Sequence, residues 1–363
     1  MSAPSEPSST ARRAGARPAG ARAGHPLLGY LLRRLGVSAL LVVGVTLVTF
    51  ILTNLVPGDT VAANLGQRAA SDPAIVAAYR AHYGLDRPLP AQYLAYLGNL
   101  VHGDLGESQQ THRAVLTDLR AAVPATLELA LGAIVLSVLI GVGFGVVAAV
   151  RRGYLADSVL RVVSLVGISV PTFWLAMVAY YLLSYRLDLA PGSGRLSPAT
   201  TAPPGVTGLY TVDALLAGQW QTFADAAAHL VLPTLVLTAY TVGLLTRFTR
   251  TAVLEVLDQD YVRSARAKGL PGRTVLLRYV LRAALVPILT VVGLAFGTLL
   301  SGTVLVEQVF SWPGLGSYAY QASAHLDLPA VMGVGLVVGI IYLVINLVVD
   351  LLYGVIDPRV RVS

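Results

Sequence analysis

The stretch "DYVRSARAKGLPGRTVLLRYVLR", Asp260 to Arg282, holds five arginines and the only lysine of the chain. Uncharged runs flank it, Leu230–Thr246 before and Ala283–Val306 after. Dense positive charge between two apolar runs is the pattern of a loop that joins two membrane spans. Four more runs complete the set: Leu35–Val56, Leu129–Val150, Val162–Tyr185 and Pro329–Val349. None of the six contains Asp, Glu, Lys or Arg. About 20 apolar residues cross a ~30 Å hydrocarbon core, and Leu230–Thr246, at 17 residues, is the shortest. Composition agrees: of 363 residues 55% are hydrophobic and 12% charged, whereas soluble domains carry about 25% charged residues. The mean hydropathy is +0.69. The expected class is an all-α membrane protein with six transmembrane helices.

A net charge of +7 could point to nucleic acid, but its placement points to the membrane. Counting Lys and Arg loop by loop puts 19 on one side: six before the first span, Arg151, Arg152 and Arg161, eight from Arg247 to Arg282, then Arg359 and Arg361. The alternate loops hold the other seven. Basic residues concentrate in cytoplasmic loops, so both termini and loop 247–282 are expected inside, and loop 57–124 outside. Residues 1–25, rich in Ala, Pro, Ser and Arg, read as a disordered cytoplasmic tail, and 26–363 as the membrane domain. Val61-Ala62-Ala63 resembles a signal cleavage site, but the 22-residue first run exceeds a 7–15 residue signal core, so it is expected to remain as a span.

Within the outer loops, Ala91–Val101 has a helical apolar rhythm bounded by Pro90 and Gly103, and a short helix is expected near Val212–Trp220. Pro313-Gly314 and Gly316 suggest a tight turn. In the opening loop, Leu254, Leu257, Tyr261, Val262 and Ala265 recur at three and four residues, so one helical face is apolar. Asp258 and Asp260 suit its start, Arg266 and Lys268 its end. Gly269 fits the position after the helix, and Pro271 stops continuation. A second helix then begins near Arg273. Three readings fit such an element: an ordinary positive-inside loop, adhesion to anionic lipid, or docking of a protein partner on the apolar face that includes Ala265.

Signals for chemistry are sparse. Without Cys there is neither a disulfide nor a thiolate metal site. Lys268 lies between Ala267 and Gly269, so no P-loop Gly-Lys-Ser/Thr exists. The six histidines show no metal-binding spacing and read as solvated loop residues; no nucleophile-elbow motif appears. The spans lack the midplane carboxylate common in ion-driven transporters, which disfavours a stand-alone secondary transporter or channel. Glu128, Arg161 and Asp350 sit at span edges. Glu128 and Asp350 are expected in interfacial hydrogen bonds, with Asn346 and Asp350 on one face able to link to a neighbouring helix. Pro171 should kink the third span, with Ser169, Thr172 and Phe173 nearby; a pathway-lining kink and simple packing weigh equally. Gly141, Gly143 and Gly145 should permit close helix packing.

Taken together, "LVTFILTNLVPGD", "YGLDRPLPAQYLAYLGNLVHGDLGES", "VPATLELALGAIVLSVLIGV", "GISVPTFWLAMV", the opening loop, "VEQVFSWPGLGSYAYQA" and "NLVVDLLYGVIDPRVR" resemble successive segments of ABC importer permeases of the dipeptide/oligopeptide/nickel family, as the first permease subunit of the pair. The resemblance runs from about Leu27 to Arg361. The general Glu-Ala-Ala signature is replaced by Arg263, Ser264 and Ala265, which resembles the peptide subfamily's variant. The resemblance implies a type I ABC importer permease fold, a coupling helix (Asp260, Tyr261, Arg263, Ala265, Arg266, Ala267, Lys268, Gly269) and a path near Ser169, Pro171, Thr172 and Phe173. It also implies a second homologous permease, two ATPase subunits or domains that bind ATP and Mg, an extracytoplasmic substrate-binding protein and membrane lipid. No nucleic acid, no cofactor in this chain and no catalysis by it are expected. The location implied is the bacterial cytoplasmic membrane. Dipeptides or oligopeptides are the expected substrate; nickel is the alternative within the family.

Overall fold

The computed structural model describes residues 26–55 and 71–356. The tail 1–25, the Val61–Ala63 stretch, Arg359 and Arg361 lie outside the described residues. The chain divides by contact into Met1–Leu41 and Val42–Ser363, a boundary inside the first helix, and the packing described here lies within the second unit. The helices are α1 (Pro26–Leu55), α2 (Pro73–His82), α3 (Leu89–Val101), α4 (Val115–Val150), α5 (Leu155–Ser169) and α6 (Thr172–Ala179), which continues as a wider π-helical turn, Tyr180–Arg186. Then come α7 (Tyr210–Leu216), α8 (Trp220–Leu257), α9 (Asp260–Ala267), α10 (Gly272–Val309), α11 (Leu315–Ala324) and α12 (Leu328–Ile356). Among the described residues the only β-structure is an isolated bridge, Glu107 to Ala114.

Four helices, α4, α8, α10 and α12, are long and apolar enough to cross a membrane, and the bent pair α5–α6 makes a fifth. The first expected run lies in α1, whose 30 residues rise about 45 Å and include the apolar stretch Ala39–Leu52. The short fourth run is the centre of the 38-residue α8, so its length was limited by flanking charge and not by helix. Many large apolar side chains stay exposed, among them Leu139, Leu165, Leu277 and Leu294. Surfaces of that kind face lipid or another membrane chain.

Close approaches set the directions of the helices. A Cβ on Gly141 would lie 2.8 Å from Leu245 Cβ, and one on Gly145 2.5 Å from Thr249 Cβ, so α4 and α8 run parallel at near-backbone contact. Gly143 has nothing within 4 Å; contrary to expectation it takes no part in that seam. The main core lies between α4, α8 and α10 around Leu129, Leu237, Leu299 and Phe310. At one end, Ala149, Val253, Val262, Ala265, Val280 and Ile288 form a second core beneath α9. This α9 end also carries Arg151, Arg152, Arg161, Arg247, Arg250 and the loop's own cations, the segregation that the sequence count anticipates.

The opposite end is bolted by polar groups. Trp312 Nε1 donates to Ala125 O at 2.9 Å, and Thr126 Oγ1 donates to Glu307 at 2.6 Å. The Ser317 N–H donates to the same carboxylate at 2.8 Å, and the Leu315 N–H to Thr126 Oγ1 at 2.7 Å. The expected turn at Pro313-Gly314 is present, but α11 follows it, a helix the sequence reading did not include.

Candidate functional site

The loop that opened the sequence folds as a short helix, a stop and a re-entry. α8 ends at Leu257, and Gln259 is extended at ψ 146° before α9 begins. The apolar rhythm read as one helix from Leu254 is therefore two: Leu254 and Leu257 close α8, and the polar triplet Asp258-Gln259-Asp260 interrupts the stripe. α9 has eight residues, too few to be stable alone in water, so it must be held by packing. Val262 and Ala265 supply that packing, at 0% and 5% exposure. They sit among Ala252, Val253, Val275, Val280 and Ala284 of the same chain. This corrects the expectation for Ala265: the apolar face is the helix's attachment to its own protein, not a free docking face. Asp260, Tyr261, Arg263, Ser264, Arg266, Ala267, Lys268 and Gly269 are exposed.

The stop is as expected. Gly269 has φ +76°, its N–H donates to Arg266 O at 2.9 Å, and the Leu270 N–H donates to Ala265 O at 3.4 Å. These two bonds form a Schellman motif, and Leu270 packs under the helix to complete it. Arg263 and Asp260 pair at 3.4 Å but are both exposed, so the pair adds little stability. Re-entry into α10 passes through a π-helical stretch, Val275–Leu281, where Val275 and Val280 turn into the same core.

At Pro171 the expected kink is a complete break. α5 stops at Ser169, Val170 and Pro171 are extended (ψ 124° and 128°), and α6 starts at Thr172 after a 96° bend. A residue before proline is pushed out of the helical region, and β-branched Val170 adds to that bias. Of the four residues grouped here, only Thr172 lines a cavity of about 160 Å³, with Leu237, Tyr240, Thr241, Leu244, Ala295, Thr298, Leu299 and Gly302. Ser169, Pro171 and Phe173 do not line it, and all three are exposed. Ser169 Oγ donates to Leu165 O.

Several buried polar groups gave little or no sign in sequence. Glu128 is buried, and its carboxylate meets Arg195 at 2.6 Å and accepts from Thr211 N–H and Oγ1. Arg195 also stacks on Tyr210 at 3.5 Å. That arginine is 67 residues away in the chain, so spacing could not reveal it. Asp213 lies in the first turn of α7. Burial pushes its carboxyl up, but donation from Thr207 Oγ1 and from the N–H groups of Thr207, Gly208 and Val206 outweighs it and holds the pKa below the usual carboxylate range. Asn346 donates to Tyr342 O of its own helix, and Tyr353 of α12 donates to Thr290 Oγ1 of α10. His229 is not a solvated loop residue. It is buried in α8 with Nδ1 2.9 Å from Asp225 O. His25 lies outside the described residues. Among the described residues no group of three or more His, Asp or Glu could hold a metal ion.

Fold and site define a multi-pass α-helical membrane protein with a helix-stop-helix element mounted at one end of its bundle. The chain belongs to the binding-protein-dependent transport system inner membrane component family, whose model matches residues 141–362, while the model of that family's N-terminal region matches 27–130. It is a multi-pass inner-membrane protein of that transport family. It is 47% identical over 321 residues to the probable D,D-dipeptide transport system permease protein DdpB of Escherichia coli, covering 88% of this chain and 94% of that one. To the di/tripeptide transport system permease protein DppB of Pseudomonas aeruginosa it is 44% identical, over 92% and 99%. Among solved structures, a chain of the inward-facing MetNI methionine ABC transporter aligns with a TM-score of 0.49 and 16% identity, over 67% of this chain and 97% of that chain.

Proposed function

We propose that this chain is one permease subunit of an ATP-driven ABC importer for dipeptides or other short peptides, and that α9 is the element on which a separate ATPase acts. The observation that carries the proposal is the mounting of α9. A helix held by its apolar face and stopped by Gly269 presents Tyr261, Arg263, Ser264, Arg266, Ala267 and Lys268 as a preformed surface. The names of the relatives support the peptide substrate, and the lack of a P-loop supports hydrolysis by another chain. In this reading the protein does no chemistry itself. ATP and Mg are bound by two ATPase subunits or domains, a second homologous permease completes the path, and an extracytoplasmic binding protein delivers the peptide.

Residues 26–363 are then the permease domain, with both termini and loop 247–282 cytoplasmic and loop 57–124 outside. ATP closes the ATPase pair, α9 moves with it, and the path opens outward to accept substrate; hydrolysis resets it. Thr172 is the residue of the α5–α6 break that fits a place along the path. The test is reconstitution of this chain with its partner permease, ATPases and binding protein, followed by uptake of a radiolabelled dipeptide. ATP-dependent uptake is expected. Uptake by this chain alone, driven by a proton or sodium gradient, would replace the proposal with a secondary transporter.

A further inference from the structure

The α9 end holds a charged cluster that loop docking leaves unexplained. Asp157, in the first turn of α5, is 1% exposed. Its two oxygens take both prongs of the Arg250 guanidinium, Nε at 2.8 Å and Nη2 at 3.0 Å. It also accepts from the Gly153 N–H at 3.1 Å, in the turn that joins α4 to α5, and lies 3.5 Å from Arg161. Arg250 belongs to α8, about two turns before that helix ends at Leu257. A fork-to-carboxylate pair fixes both position and orientation, and removing the partly exposed arginine would leave the buried carboxylate stranded.

Further along the same two helices the contact is backbone to backbone. A Cβ on Gly243 of α8 would lie 2.5 Å from Ser164 O, and one on Gly167 of α5 would lie 2.7 Å from Ala239 O. The pairs 157 with 250, 164 with 243 and 167 with 239 place α5 antiparallel on α8 along most of its length. α9 is in turn glued to α8 through Val262 and Ala265. α5 ends at Ser169, three residues before Thr172 and its cavity.

We propose that α9, α8 and α5 move as one lever, and that Arg250 and Asp157 are positioning residues that carry motion of α9 to the α5–α6 break. The proposal rests on the ATPase-driven reading above. The ion pair clamps α5 to α8 at the end where force enters, while the two close backbone contacts hold it further in. Loosening the clamp lets α8 tilt without taking α5 along, so ATP is hydrolysed while the break stays still.

The experiment uses the reconstituted importer with its partner subunits and measures labelled dipeptide taken up per ATP hydrolysed. Arg250→Gln and Asp157→Asn should lower that ratio about fivefold or more, the size of an ordinary coupling loss, with binding-protein-stimulated ATPase rate and complex yield retained. Arg250→Lys, which keeps charge but not the fork, should fall between and remains informative if either other variant fails to assemble. The chain has no Cys, so spin labels at Val159→Cys on α5 and Gln259→Cys beside α9 report the lever directly. Their separation should stay the same with and without ATP in the parent and change with ATP in Arg250→Gln. An unchanged ratio, a parallel loss of uptake and ATPase in all three variants, or a label separation that changes with ATP in the parent overturns the lever. Absence of ATP-dependent uptake by the parent complex would instead overturn the importer reading beneath it.

Discussion

Val262→Asp separates a helix docked by its apolar face from one that offers that face to a partner. Val262 is fully buried, and burying a valine contributes about 2 kcal/mol. An aspartate there would sit among the apolar side chains of Ala149, Ala252, Val253, Val275 and Ala284. An unpaired buried carboxylate costs several kcal/mol, more than the docking of an eight-residue helix can bear, so α9 should detach. The reporter is Ala265→Cys, assayed with an impermeant maleimide on inverted vesicles that contain this chain without ATPase subunits. In the parent its labelling should be slower than that of Ser264→Cys by roughly 30-fold, the opening penalty of about 2 kcal/mol. With Val262→Asp the two rates should converge. If Ala265→Cys already labels as fast as Ser264→Cys in the parent, the face is free and the reasoning fails.

Gly269→Val meets no atom within 4 Å, so its effect is conformational: about 1–2 kcal/mol for a β-branched residue at positive φ, with loss of the stop, faster maleimide labelling of Ala265→Cys and reduced uptake; Gly269→Asn should be milder. Glu128→Gln strands the buried Arg195 and should destabilise the protein in detergent by about 3 kcal/mol. Glu128→Leu combined with Arg195→Met should cost less than Glu128→Gln alone, and the reverse order would count against a buried pair. Asp213, with its pKa lowered in the folded state, contributes stability present above the unfolded value of about 3.9 and lost as pH falls through the lower folded value. Hydrogen exchange at the Thr207 and Gly208 amides should therefore stay protected down to about pH 4 and rise below it; in Asp213→Asn the acid step should disappear.

The spans were legible because charge-free runs of about 20 residues have few other uses. The stop at Gly269 was legible because its signal is local: a glycine after a helical rhythm, then a proline. The face of α9 was misread because periodicity reports which residues share a side, not what covers it. The cover of Val262 comes from Ala149 of α4, distant in sequence, and from the flanking α8 and α10, whose fold-back onto α9 periodicity does not report. The same limit hid Glu307. It follows the fifth run directly, but its partners Thr126 and Ser317 come from two other helices. Pro171 announced a bend, and only the neighbouring extended Val170 shows how far it goes.

The proposed contact between α9 and an ATPase is best tested by crosslinking in the assembled importer. A photoreactive side chain is placed in turn at Tyr261, Ser264 and Lys268, and at the buried Val262 and Ala265. Crosslinks to the ATPase subunit are expected from 261, 264 and 268, and only intrachain products from 262 and 265. Crosslinks to the ATPase from 262 and 265 but not from the other three would contradict the account.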